Sequence, residues 1–195
     1  MRKIITLSLI FSISSLICQT KEIDLFKLYK ELHANPELSY QEFETSEKLA
    51  LILEEIGYEV TRNIGGNGVV ALLKNGEGKT VMLRADMDGL PVEEKTGASY
   101  ASTKKAINPD GKEVYTMHAC GHDVHMSVLI GAAEYLYKSK SSWKGNLLLV
   151  LEPAEEVSGG ARNMIKDGLF TKFPRPDFNL ALHVSPSLQA GKVGY

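Results

Sequence analysis

The chain has 195 residues, 44% of them hydrophobic and 24% charged, the composition of an ordinary globular protein and not of a disordered or fibrous one. Its 22 Lys plus Arg against 24 Asp plus Glu give a formal net charge of -2, which leaves no electrostatic footprint for nucleic acid and excludes polyanion binding as a function class. Two cysteines, Cys18 and Cys120, cannot staple a small disulfide scaffold, so an apolar core must hold the fold.

Arg2 and Lys3 precede an uncharged apolar run over residues 4–17. As a helix that run rises only about 21 Å, short of the roughly 30 Å hydrocarbon core, so it reads as a secretory leader and not as a membrane span. Residues 1–18 are therefore expected to be a signal peptide, cut before Gln19 or Lys21, with a lipid-modified Cys18 or an uncleaved helix as alternatives. The protein is expected to be exported, to the periplasm or the cell exterior. Either cleavage leaves Cys120 without an intramolecular partner.

Residues 19–195 carry no repeat, low-complexity tract or long linker and are read as one unit. Ile23, Phe26, Leu28, Tyr29 and Leu32 predict a first helix that stops at Asn35-Pro36, where proline disfavours helical geometry in its predecessor. A second helix is predicted over residues 41–56, with Gly57 where a C-cap glycine belongs. Residues 69–73 and 80–85 are apolar, β-branched runs joined through Asn75-Gly76-Glu77-Gly78, which predicts an antiparallel hairpin. A largely buried helix follows over residues 123–138, then an aliphatic central strand over 147–151. A short helix over 161–169, with Gly168 near its end, and an apolar strand over 178–184 complete the pattern. Strand, helix and strand at this spacing predict an α/β fold, a mixed and mostly parallel sheet flanked by helices with right-handed crossovers.

The polar residues gather at strand ends, where open α/β sheets place their ligand sites. Asp86 and Asp88 follow the strand that ends near Leu83; residues i and i+2 of an extended chain share a face, so both carboxylates should address one site, although a turn is an adequate structural reason for the pair. His118, Cys120, His122, Asp123 and His125 crowd the entry to the third helix, with Gly121 allowing the backbone to bend. Thiolate and imidazole together suit zinc, cobalt, nickel or manganese; a cysteine nucleophile with a histidine base is the other functional reading. Glu155-Glu156 follows the central strand, where one glutamate would ligate a metal while its neighbour serves as general base. His183 closes the last apolar strand.

Four segments in order carry a resemblance: Arg84-Ala85-Asp86-Met87-Asp88 with Leu90-Pro91; His118-Ala119-Cys120-Gly121-His122-Asp123 with His125; Glu152-Pro153-Ala154-Glu155-Glu156 with Gly159-Gly160-Ala161; and Leu182-His183-Val184. Together they resemble the N-terminal catalytic segments of the aminoacylase and carboxypeptidase-type zinc metallopeptidases, nearest to hippurate hydrolases and indole-acetyl-amino acid amidohydrolases. His33-Ala34-Asn35-Pro36-Glu37-Leu38-Ser39 fits the same branch, and the similarity covers roughly residues 22–195. The resemblance implies that Cys120, His122, Glu156 and His183 bind one or two divalent metal ions, that Glu155 is the general base, and that Asp86 and Asp88 support them. It implies hydrolysis of the amide bond of an N-acyl amino acid or dipeptide by metal-activated water. His118, Asp123 and His125 have weaker claims, helix capping being a sufficient reason for Asp123. Members of that family are typically far longer, so residues 19–195 are expected to be the N-terminal portion of a dinuclear-metal catalytic domain. The lid or dimerisation domain and the rest of the catalytic domain are then absent, and a homodimer is expected only where the lid is present. A truncated, inactive metal-binding fragment is the alternative.

Overall fold

A computed structural model describes residues 22–194; the expected leader and its cleavage point lie outside the described residues. In chain order the elements are α1 (Leu25–Ala34), α2 (Phe43–Ile56), β1 (Glu59–Ile64), β2 (Gly68–Asn75), β3 (Thr80–Asp86), β4 (Lys105–Ile107), β5 (Glu113–Tyr115), α3 (His122–Lys138), β6 (Gly145–Glu152), α4 (Gly160–Lys166), α5 (Leu169–Lys172) and β7 (Phe178–Ala181). Five strands form one sheet in the order β1-β2-β6-β3-β7, and β4 and β5 form a separate hairpin. Two of the four interfaces are parallel, β6 with β3 and β3 with β7, and β2 alone runs against the other four strands. The sheet is thus mixed, as expected. Among the described residues no helix is long and apolar enough to cross a membrane.

The expected hairpin of residues 69–73 with 80–85 does not form. β6 lies between its two arms, antiparallel to β2 and parallel to β3. The arms are antiparallel to each other, but their four-residue connection spans two interstrand spacings, about 9.6 Å, rather than one. Burial drives the insertion. β2 is buried on both faces over Gly68–Leu73, and a strand so covered gains most beside an equally apolar partner, which is Leu147–Leu151 and not the half-polar β3. β6 can enter there because Gly145, at φ +115°, comes so close to Lys79 that a Cβ would stand 2.3 Å from its carbonyl oxygen. The strand β1 and the hairpin β4-β5, which apolar patterning does not announce, are edge and surface elements.

Side-chain alternation along the strands separates two apolar layers. Val69, Ala71, Leu73, Leu147, Leu149 and Leu151 face α1, α2 and α3, while Val70, Leu72, Leu148 and Val150 face Met164 and Leu169 of α4 and α5. β7 forms one edge, and its strand pairing stops at Ala181, short of the expected end at residue 184. Leu149→Ala should therefore lower the free energy of unfolding by about 2–5 kcal/mol. Val128→Ala, on the exposed side of α3, should stay within about 0.5 kcal/mol. Urea denaturation of both variants measures the contrast, and similar losses would contradict the two-layer packing.

Candidate metal centre

The ends of β3, β6 and β7 and the start of α3 meet at one point. Gly121 makes this possible: it is the left-handed N-cap of α3, and a Cβ there would stand 2.5 Å from a Val184 methyl, so only glycine lets the two loops touch. His122 lies fully buried at the centre. Its Nδ1 is 3.4 Å from Asp88 Oδ1, and its Nε2 is 3.7 Å from Asp86 Oδ2, 3.8 Å from Glu155 Oε2 and 3.7 Å from Glu156 Oε1. Cys120 Sγ is 3.4 Å from His183 Nε2. Asp86 and Asp88 thus address one site, as the i, i+2 spacing anticipated.

Most carboxylate oxygens here have protein donors. Asp88 accepts from Ser39 Oγ at 2.6 Å and from the backbone amides of Glu155 and Glu156, each at 3.1 Å. Asp86 accepts from Arg84 Nη1 and His125 Nδ1, each at 2.6 Å, and Arg84 Nε reaches Glu152 at 2.7 Å. By contrast, both ring nitrogens of His122 and Oε1 of Glu156 are buried with no hydrogen-bond partner. Unpaired buried polar atoms are costly, and a cation shared among them removes the cost. Three donor groups, Cys120 with His122 and His183, His122 with Glu155 and Glu156, and Asp86 with His122 and His125, each gather their ligand atoms within 4.8 Å. A thiol, imidazoles and carboxylates around one buried ring fit a borderline divalent ion.

The electrostatics follow from this crowding. Burial opposes ionisation of Asp86, but the His125 hydrogen bond with the charges of His122 and Arg84 prevails and holds its carboxyl at about 2. Burial and the neighbouring Asp86 push Glu155 up despite His122 and Arg84. Burial, reinforced by Glu156, Glu155 and Asp86, pushes the Cys120 thiol up to about 11. His118 is pushed down to about 4, chiefly by burial, and both its nitrogens also lack partners.

Asp123 is not the helix cap expected of it. The Gly121 turn makes Gly121 the N-cap and His122 the first helical residue, so Asp123 sits two positions past the cap; its Oδ1 accepts only the adjacent Val124 amide at 2.9 Å, and its Oδ2 meets His33 Nδ1 at 2.6 Å. His33 reaches Glu94 through Nε2 at 3.0 Å. Sequence reasoning also missed Glu42, which is fully buried and accepts from the amide of Ala154 at 2.7 Å, from that of Tyr40 at 3.1 Å and from Asn67 Nδ2 at 3.0 Å. It braces Ala154, held at φ +48°, the residue before the glutamate pair. As the polar residue just ahead of an amphipathic helix, Glu42 carries no signal of burial.

The sequence profile of peptidase family M20/M25/M40 matches residues 82–195. The chain is 44% identical over 161 residues to the hippurate hydrolase of Campylobacter jejuni, covering 82% of this chain and 39% of that protein. It is 40% identical over 176 residues to the N-acetyl-L-cysteine deacetylase of Bacillus subtilis, covering 90% of this chain and 39% of that one. The crystal structure of a Bacillus subtilis protein described as a dinuclear metal-binding peptidase of the M20 family superposes with a TM-score of 0.74 at 34% identity, over 84% of this chain and 43% of that one. The chain spans about two-fifths of the length of these relatives.

His33 offers a test of the polar network behind the centre. Burial disfavours its imidazolium, but Glu94 and Asp123 prevail and raise its pKa above 6.5. A raised histidine pKa contributes stability that is fully present below the unfolded value and lost as pH rises through the folded one. The melting temperature should therefore fall as pH rises above the ordinary histidine value of about 6.5, and fall less in His33→Gln. Equal slopes for the two proteins would show that His33 is not held charged by these carboxylates.

Proposed function

The chain belongs to peptidase family M20/M25/M40, and on that footing we propose that it supplies the metal centre and general base of a hydrolase acting on the amide bond of N-acyl amino acids or small peptides. The observation that carries the proposal is the set of unpartnered buried donors on His122 and Glu156, beside the close approach of Cys120 to His183. Cys120, His122, Glu156 and His183 would hold one or two divalent ions of the zinc, manganese, cobalt or nickel kind. Such an ion, when bound, polarises the amide carbonyl and acidifies water.

The two glutamates divide the work. Glu156 turns a buried oxygen toward His122, the posture of a ligand, whereas the Glu155 side chain is 38% exposed and open to substrate. Glu155, its pKa raised by burial and Asp86, takes a proton from the water that attacks the carbonyl carbon. As the C–N bond breaks, it returns that proton to the departing amine, giving a carboxylate and a free amine. Asp88 supports both glutamates by accepting their amides, and Asp86 lies against His122. The named substrates of the two relatives, hippurate and N-acetyl-L-cysteine, are both N-acyl amino acids, which supports this class. Arg2, Lys3 and the apolar run over residues 4–17 support action outside the cytoplasm.

A second reading is favoured by one observation: the chain spans only about two-fifths of its relatives' length, so these residues would bind metal without turning substrate over by themselves. Elemental analysis of the full chain, reloaded with zinc and desalted, tests the shared premise. About one or two ions per chain are expected, kept in Glu155→Gln and lost in Glu156→Ala and Cys120→Ser. A wild-type chain that folds and retains no ion would overturn both readings. With metal bound, release of glycine from hippurate separates them, and the first requires Glu155→Gln to slow it by about 100-fold or more.

A further inference from the structure

We propose that His125 is a positioning residue of the metal centre, tying the His183 segment to the end of β3 and taking no ligand position itself. The inference rests on the metal-centre reading above. The backbone amide of Val184 donates to His125 Nε2 at 2.9 Å, so that nitrogen carries no proton. The ring proton therefore sits on Nδ1 and is donated to Asp86 Oδ1 at 2.6 Å, while Arg84 holds the other oxygen of Asp86. Both nitrogens of His125 are thus engaged, although Asp86, His122 and His125 come close enough together to form a donor group.

What the tie secures is the segment after β7. Strand pairing ends at Ala181, so the backbone that carries His183 has left the sheet. Val184 is bound to His125, and its carbonyl in turn accepts from His183 Nδ1 at 2.6 Å, which turns Nε2 of His183 toward Cys120. The His125 and His183 rings pack with centroids 4.6 Å apart. Outer partners of this kind commonly change metal affinity by about 10–100-fold when removed.

Two substitutions divide the ring's functions. In His125→Asn the amide nitrogen stands where Nδ1 was, keeping the bond to Asp86 and losing the acceptor for Val184. In His125→Gln the amide oxygen reaches the Nε2 position, keeping the acceptor and losing the donor to Asp86. Cobalt(II) titration of the full chain should show affinity about tenfold or more weaker in His125→Asn and near wild type in His125→Gln. The Val184 amide, followed by NMR in the metal-free chain, should exchange faster only in His125→Asn. Equal behaviour of the two variants, whether both intact or both weakened, would overturn the inference. Should either fail to fold, the wild-type imidazole nitrogen resonances decide: an unprotonated Nε2 on His125 is required, and a protonated one refutes the tie. If wild type binds no cobalt, the metal-centre reading fails by itself, and the Val184 exchange still judges His125.

Discussion

Buried carboxylates that accept backbone amides and arginine hold this molecule's centre in shape. Asp88 takes the amides of Glu155 and Glu156, Glu42 takes that of Ala154, and Asp86 and Glu152 share Arg84. Apart from the local Arg84–Asp86 pair, these bonds join segments 67 to 112 positions apart in sequence, so the centre is built of loops yet has little freedom. A site crowded with negative charge would otherwise repel itself apart. Because these oxygens are already engaged, the donors left over around His122 are few and defined, and they are the ones a cation would meet.

The sheet serves the same end. Its parallel part, β6-β3-β7, brings three C-terminal strand ends to one edge, and α3 begins directly beside them. Apolar side chains above and below β2 and β6 make the strands behind the site rigid. The site is therefore backed by the most deeply buried residues of the chain.

Much of this was legible in the sequence, for identifiable reasons. Glu155, Glu156 and His183 each follow or close an apolar run, a boundary visible without coordinates, while Cys120 and His122 stand out by the crowding of ligand-type residues between His118 and His125. The central strand over residues 147–151 declared itself through unbroken aliphatic residues. Strand order did not, since a glycine turn between two β-rich runs looks alike whether the arms pair or admit a third strand. Glu42, His33 and His125 were equally opaque, because their roles depend on Ala154, Asp123 and Val184, partners between 59 and 112 positions away in sequence. Asp123 misled because the cap falls two residues earlier, at Gly121, which leaves Asp123 inside the first helical turn.

The placement of β6 between β2 and β3 also governs how the chain must assemble. A hairpin closes as soon as its two arms exist, whereas here the first 90 residues emerge with the inner edges of β2 and β3 unpaired. They stay so until the strand ending at Glu152 has been made and threaded between them. Contacts of such sequence separation are slow to form, and open apolar edges invite pairing with other chains meanwhile. The arrangement that gives the finished sheet its dry centre thus also postpones its closure until the last of its central strands has been made.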